Sequence, residues 1–309
     1  MRGLITTRTA PALFVLLWST GFTGIRYGIP YAPPFTFIAV RMAIASILLA
    51  LISLAITKRF THDLSTIGKS VLVGVTIHGA YLGGCFYGVK QGMPAGITAL
   101  ICSLQPVLVS LFSSIFFQEK LSIRKWLGLG LGLTGLVLVI APKLSGTTGQ
   151  ELPMVGVAAI FIALLGGTSG TLLQKKFGSG VEVLSGTSWQ YVATGILMGS
   201  LALIFEGDQS ITWNASFIFS LTWLIVALSI GAILILYFLL SHSSASSVSS
   251  LYYLVPAVTA VESYFLFGEK IGLVTGLGTL VTIAGVALVV SQGSQGTAGA
   301  RGARGAREK

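Results

Sequence analysis

The chain has 309 residues, of which 53% are hydrophobic and 9% charged, and its mean hydropathy is +0.88. Soluble domains carry roughly 25% charged residues, so this composition argues against a water-soluble enzyme and makes the bilayer the solvent. The formal charge of +10 does not mark a nucleic-acid binder, because the basic residues fall in short loops between apolar runs rather than on one patch.

Apolar runs near the ~20 residues that cross ~30 Å of hydrocarbon recur along the whole chain. The expected spans are 11–29, 33–56, 69–91, 94–117, 121–142, 153–173, 181–205, 216–240, 245–267 and 271–291. The first follows Arg2 and Arg8 as a signal peptide would. No A-x-A cleavage site ends it, however, and it continues through Trp18 to Ile29, so it is expected to remain a span. The spans must be helices, because in hydrocarbon each backbone donor and acceptor needs a partner within its own segment. The fold class expected is an all-α membrane protein.

Chain segments 1–10, 11–142, 153–291 and 292–309 read as a cytoplasmic N-terminus, two five-helix units and a disordered basic cytoplasmic tail. With the N-terminus inside, the cytoplasmic segments hold 14 of the 19 basic residues, among them Lys58, Arg59, Lys69, Arg124, Lys125, Lys175 and Lys176. Both termini are therefore expected in the cytoplasm, with the chain in a bacterial inner membrane. Cys85 and Cys102 fall inside spans and read as packing residues, so no disulfide, metal or cofactor is expected.

Sliding the sequence by 150 residues aligns 104–140 with 254–290 without a gap, and eleven of these 37 positions are identical. Pro106 meets Pro256, Glu119-Lys120 meets Glu269-Lys270, and Gly135 meets Gly285. Two halves of five spans each enter the membrane from opposite sides, so ten helices form two inverted five-helix repeats. That is a recurring architecture of secondary transporters.

Three features together resemble the drug/metabolite transporter superfamily and its EamA family. They are the Leu17-Trp18-Ser19-Thr20-Gly21 segment, Pro34 followed by Arg41, and the repeated hairpins 106–120 and 256–270. The resemblance implies export of amino acids, related metabolites or drugs, with aromatic amino-acid exporters of the YddG type a plausible nearest group. Gln190 stands where the first half has Arg41, so that feature is not symmetric.

Polar groups inside spans are costly and so are the default site candidates. His78 and Tyr81 are three residues apart on one expected helical face. They either contact a substrate or serve packing. Pro106 and Pro256 interrupt matched helices, the best sequence pointer to a transporter site, with Gln105 and Tyr253 nearby. Glu262 is the one carboxylate well inside a span. It either pairs with Arg26 as an outer gate or snorkels to water. Arg41 lies nearer the midplane, as a structural arginine bonded to helix carbonyls or as a substrate contact, and Trp18, Trp189 and Tyr191 line a cavity or pack. Gly128 to Gly132 and Gly272 to Gly276 read as close-approach surfaces between helices.

The function expected is secondary or facilitative export of a small molecule by alternating access. Proton coupling through His78 or Glu262 is open, and the oligomeric state is not fixed by the sequence. Two rivals were weighed. A channel lacks a recognisable filter sequence. An intramembrane serine protease would use Gly167-Thr168-Ser169-Gly170 with His78 or His242 as base.

Overall fold

The computed structural model describes residues 9–58, 60–61, 63–116, 118, 122–144, 152–178, 181–207, 210–242, 251–252, 254–269 and 272–290. Residues 1–8, Tyr253, the Glu119-Lys120 turn, Lys270 and the 292–309 tail lie outside the described residues. The described residues are all-helical. Eight helices are long and apolar enough to cross a membrane, and two shorter apolar helices complete the chain.

In chain order these are α1 (Ala10–Gly28), α2 (Pro34–Ile56), α3 (Leu64–Lys90), α4 (Ala95–Phe116), α5 (Ile123–Leu144), α6 (Met154–Phe177) and α7 (Val183–Phe205). Then come α8, which runs through Ala215–Trp223, Leu224–Ala232 and Ile233–His242, α9 (Leu254–Phe267) and α10 (Leu273–Val290). The chain is therefore a multi-pass membrane protein.

Side chains rather than propensity alone set where several helices begin. Asp63 caps α3 by accepting from the Thr66 N–H at 2.8 Å, so that helix starts five residues before the expected span at 69. Asn214 does the same for α8, its Oδ1 accepting from the Phe217 N–H at 2.8 Å. Buried Glu206, at the end of α7, accepts from the N–H groups of Phe35 and Thr36 at 2.6 and 2.8 Å and so holds the first turn of α2. Glu182 caps α7 through the Leu184 and Ser185 N–H groups and also accepts from Ser53 Oγ of α2 at 3.1 Å. The two ends of the α2–α7 pair are thus tied by carboxylates at helix N-termini, where the dipole favours negative charge.

The main packing partners are α2 with α7, α5 with α10, α3 with α6, and α1 with both α8 and α9. In the α2 region Phe37 meets Phe86 and Phe217 edge-on at 5.0 and 4.9 Å, all three fully buried. At the α5–α10 seam a Cβ at Gly285 would strike the backbone of Gly128 and Gly132, and one at Gly135 would strike Gly278 and Thr282. Close backbone approach here is the small-residue packing expected of membrane helices. The expected role of Gly272 in such a seam is corrected: nothing lies within 4 Å of a Cβ there, and Gly278 and Gly285 face α5 instead.

Three helices are irregular where the bundle is most polar. A π-helical stretch, Val75–Ala80, interrupts α3, and another, Leu224–Ala232, interrupts α8. In α4 the first helical segment stops at Cys102 and the second restarts at Gln105, with Pro106 in its first turn. Pro256 likewise sits in the first turn of α9. Proline is tolerated there because the first-turn N–H groups have no intrahelical acceptor. Gln118 and Gly268, which follow α4 and α9, adopt φ of 55° and 65°, a left-handed stop to each helix.

Candidate functional site

Five helices bring polar side chains together around Arg41. Arg41 is 6% exposed, and its Nε donates to Ser229 Oγ at 3.2 Å, within the π stretch of α8. Among the described residues no carboxylate serves as its charge partner, and the two terminal nitrogens make no hydrogen bond. Ser263 Oγ is the sole sealed, unpartnered side-chain polar atom among those residues. A desolvated guanidinium presenting two free donors is suited to a planar anion such as a carboxylate.

Beside it, His78 Nε2 lies 3.2 Å from Gln190 Oε1, and Gln190 Nε2 donates to Gln174 Oε1 at 2.9 Å. Tyr191 meets the His78 ring edge-on at 4.8 Å and donates to the Ser229 carbonyl at 3.3 Å. α7 comes this close because α3 carries Gly74, where a Cβ would collide with the Gln190 backbone. A narrow cleft with room for about one water, ≈ 10 Å³, runs from Gln190 past Gln174 and Ser70 to Lys69 at the helix ends.

The structure separates His78 from Tyr81. A π turn is wider than an α turn, so the three-residue spacing no longer places the two on one face. His78 turns to α7, whereas Tyr81 lies beside Cys85, Cys102 and Tyr252 and lines the Gly167 and Gln105 neighbourhood. Gln105 is tied down, its Nε2 donating to the Gly167 carbonyl at 3.2 Å and to Thr171 Oγ1 at 2.9 Å. Cys85 and Cys102 are buried free thiols with sulfurs 3.7 Å apart. Trp18 and Tyr252 meet edge-on at 5.2 Å and extend this aromatic wall from α1.

Two expectations change. Trp189 does not join the polar cluster: its indole N–H donates to the Thr61 carbonyl at 3.1 Å and its ring packs on Phe60, which fixes the segment before α3. Arg26 does not pair with Glu262. Arg26 lies over the Phe267 ring at 5.9 Å, and the Glu262 carboxyl is met by the hydroxyls of Ser19 and Thr23 at 2.7 and 3.2 Å. The nearer hydroxyls of α1 satisfy the carboxyl that the arginine was expected to neutralise.

Ser169 sits within α6 and its hydroxyl donates to the Leu165 and Gly166 carbonyls, while His78 is engaged by Gln190 and His242 by the Phe238 carbonyl. A nucleophile turn needs an exposed strand-to-helix bend, and a continuous helix offers none. Among the described residues no group of three His, Cys, Asp or Glu side chains could hold a metal ion. Sequence reasoning missed Ser229, Gln174, Ser19 and Thr23, small or neutral polar residues whose importance comes from what they face.

Comparison with known proteins agrees with a transporter. A protein named uncharacterized transporter YvbV from Bacillus subtilis is 28% identical over 94% of this chain and 93% of its own length. Proteins named probable amino-acid metabolite efflux pump, from Escherichia coli and Salmonella typhimurium, are 25% and 24% identical, each over 90% of this chain and 92% of their own. A solved crystal structure superposes with a TM-score of 0.63 at 17% identity, covering 91% of this chain and 95% of that one, and so shares the fold. The EamA-like transporter family matches residues 10–141 and again 154–291. A helical membrane chain with polar groups gathered in its spans, matched over nearly its whole length, belongs to the EamA-like transporter family.

Proposed function

We propose that the chain is a secondary or facilitative carrier that exports amino acids or related carboxylate-bearing metabolites across the bacterial inner membrane. The observation that carries this reading is Arg41, a buried arginine without a carboxylate partner among the described residues, whose one hydrogen bond there runs from Nε to Ser229. Such a charge is expensive in a membrane span unless a ligand repays it. In this reading Arg41 takes the substrate carboxylate, His78 and Gln190 flank it, and Tyr81 and Gln105 with the Trp18–Tyr252 wall line the rest of the path. The efflux-pump relatives make amino-acid metabolites the first substrates to try.

Alternating access between two inverted five-helix repeats is the proposed mechanism. Its support is the way features recur about 150 residues apart. The π stretches of α3 and α8, the caps Asp63 and Asn214, the left-handed Gln118 and Gly268, and the first-turn Pro106 and Pro256 all fall in matched places. Exchanging the halves also maps the packing of α3 on α6 onto that of α8 on α1. Interrupted helices at corresponding positions are where such carriers bend, so Pro106 and Pro256 are assigned as flexing points. The basic residues concentrated in alternate loops support a cytoplasmic location for both termini.

The test is uptake of a panel of labelled amino acids into liposomes holding the purified chain. Saturable uptake is expected, and Arg41→Met should weaken apparent affinity about 10- to 100-fold, the worth of a charge-assisted hydrogen bond of about 1.5–3 kcal/mol. Saturable uptake that Arg41→Met leaves unchanged would remove Arg41 from the site. Uptake of drugs or other metabolites but no amino acid would move the substrate class.

A further inference from the structure

We propose that Glu262 is a proton-exchanging carboxyl, held by Ser19 and Thr23 at the α1–α9 seam, that binds and releases a proton in each transport cycle. The proposal rests on the carrier reading above and adds its driving ion.

The argument is a count of protons. Ser19 Oγ lies 2.7 Å from Glu262 Oε1 and 2.9 Å from the Leu16 carbonyl; Thr23 Oγ1 lies 3.2 Å from Oε2 and 3.3 Å from the Thr20 carbonyl. Each hydroxyl has one proton for two acceptors. When the carboxyl is ionised, both hydroxyls donate to it. The two carbonyls give up a supplementary bond at little cost, because they belong to helical turns. When the carboxyl is protonated, its O–H donates to Ser19 Oγ across the same 2.7 Å, and the Ser19 proton swings back to the Leu16 carbonyl. That distance is typical of an O–H···O bond. One set of heavy-atom positions therefore serves both protonation states, with a single hydroxyl rotation between them. The proton comes from water and returns to it, since Glu262 itself is only half-buried.

The surroundings leave the proton as the neutralising charge. From α1 the carboxyl meets only neutral hydroxyls, and Arg26, one turn past Thr23, lies over Phe267. α4 packs on α9 through Gly96 against Ala260, and Glu269, beyond the end of α9, is occupied by the Ala95 N–H at 3.3 Å. On α9 itself Tyr264 is exposed. α8 reaches this part of α1 through Trp223, whose indole donates to Thr20 Oγ1. A lone carboxylate in a span needs a counter-charge. At the same seam Thr259 donates to the Ser19 carbonyl at 3.4 Å, and Ser263, the next residue after Glu262, is buried.

Two measurements on the full purified chain in liposomes test this. Infrared difference spectra between acid and alkaline pH should show the C=O stretch of a protonated carboxyl that disappears in Glu262→Gln. A pH gradient of about one unit should drive up to about tenfold accumulation of a transported amino acid for one proton exchanged. Glu262→Gln should abolish that accumulation while retaining exchange of labelled for unlabelled substrate at equal pH. A carboxyl band that persists in Glu262→Gln, accumulation that survives the substitution, or accumulation driven by a sodium gradient instead would overturn the proposal. Wild-type exchange without any response to the pH gradient would also overturn it and leave the carrier standing. If no amino acid moves at all, the substrate reading fails, and the infrared band alone still decides whether Glu262 carries the proton.

Discussion

The two halves of the chain make the same clasp with different chemistry. In one, Arg41 of α2 reaches Ser229 in the π stretch of α8; in the other, Gln190 of α7 reaches His78 in the π stretch of α3. The positions correspond across the repeat, 149 residues apart on one side and 151 on the other. Only the first clasp carries a permanent charge. The Gln190 amide is satisfied on both faces, by His78 and Gln174, whereas the terminal nitrogens of Arg41 are left open among the described residues. The family matches the chain twice, and the two matched positions differ in charge, which is the asymmetry the proposed substrate role of Arg41 rests on.

The largest effect that sharpens this comparison comes from removing the open charge. Arg41→Met keeps the apolar stem and deletes a buried cation that has no carboxylate partner among the described residues, so thermal stability in detergent should hold or rise even as substrate affinity falls. Buried charges replaced by apolar groups of similar volume are often neutral or stabilising, by about 1–4 kcal/mol. If Arg41 were instead structural, the variant would melt earlier and lose function in proportion. On the neutral side, Gln190→Met should behave oppositely and lose stability, because it strands the half-buried His78 ring.

A smaller effect tests why α3 and α7 approach closely in the second clasp. A Cβ at Gly74 meets the backbone of Gln190, which cannot rotate away, so Gly74→Ala should cost about 1–3 kcal/mol by overpacking. Gly68, six residues earlier in the same helix, has nothing within 4 Å of an added Cβ. There Gly68→Ala should be neutral or gain up to about 1 kcal/mol from helix propensity. Equal outcomes at the two glycines, read as thermal midpoints of the purified variants, would break the assignment of Gly74 as the point of closest approach.

The helical membrane character was legible because hydrocarbon permits so few backbone solutions, and the repeat because Pro106/Pro256 and the Glu-Lys turns survive as landmarks. The site was less legible. A 3.6-residue period put His78 and Tyr81 on one face, and nothing in Val75–Ala80 announces the wider π turn that parts them. Trp189 looked like a cavity aromatic because the sequence does not show that the Thr61 carbonyl would take its N–H. Asp63 was a readable cap before Thr66, yet the apolar run beginning at Lys69 outweighed it and the start of α3 was placed late. Ser229 is an ordinary serine until an offset of 151 residues, one more than in the best-matching stretch, sets it in the place of His78. That signal was available and required following the repeat beyond its best-matching stretch.

The smallest effect separates the halves at their helix starts. Asp63 and Asn214 cap α3 and α8 at matched places, but only Asp63 titrates. The Thr66 hydroxyl and N–H, both donating to the Asp63 carboxylate, hold its pKa below the usual aspartate value. A folded-state pKa below the unfolded one means that the cap contributes fully above the unfolded value and is lost as pH falls through the folded value. Amide-exchange protection at Thr66 should therefore drop on acidification relative to that at Phe217, after correction for the intrinsic pH dependence of exchange. Asp63→Asn should make the first turn of α3 as insensitive to acid as that of α8, with protection at neutral pH nearly unchanged, since asparagine caps about as well as aspartate. Acid-dependent fraying of the same size at both helices would mean that the cap charge is not what distinguishes them.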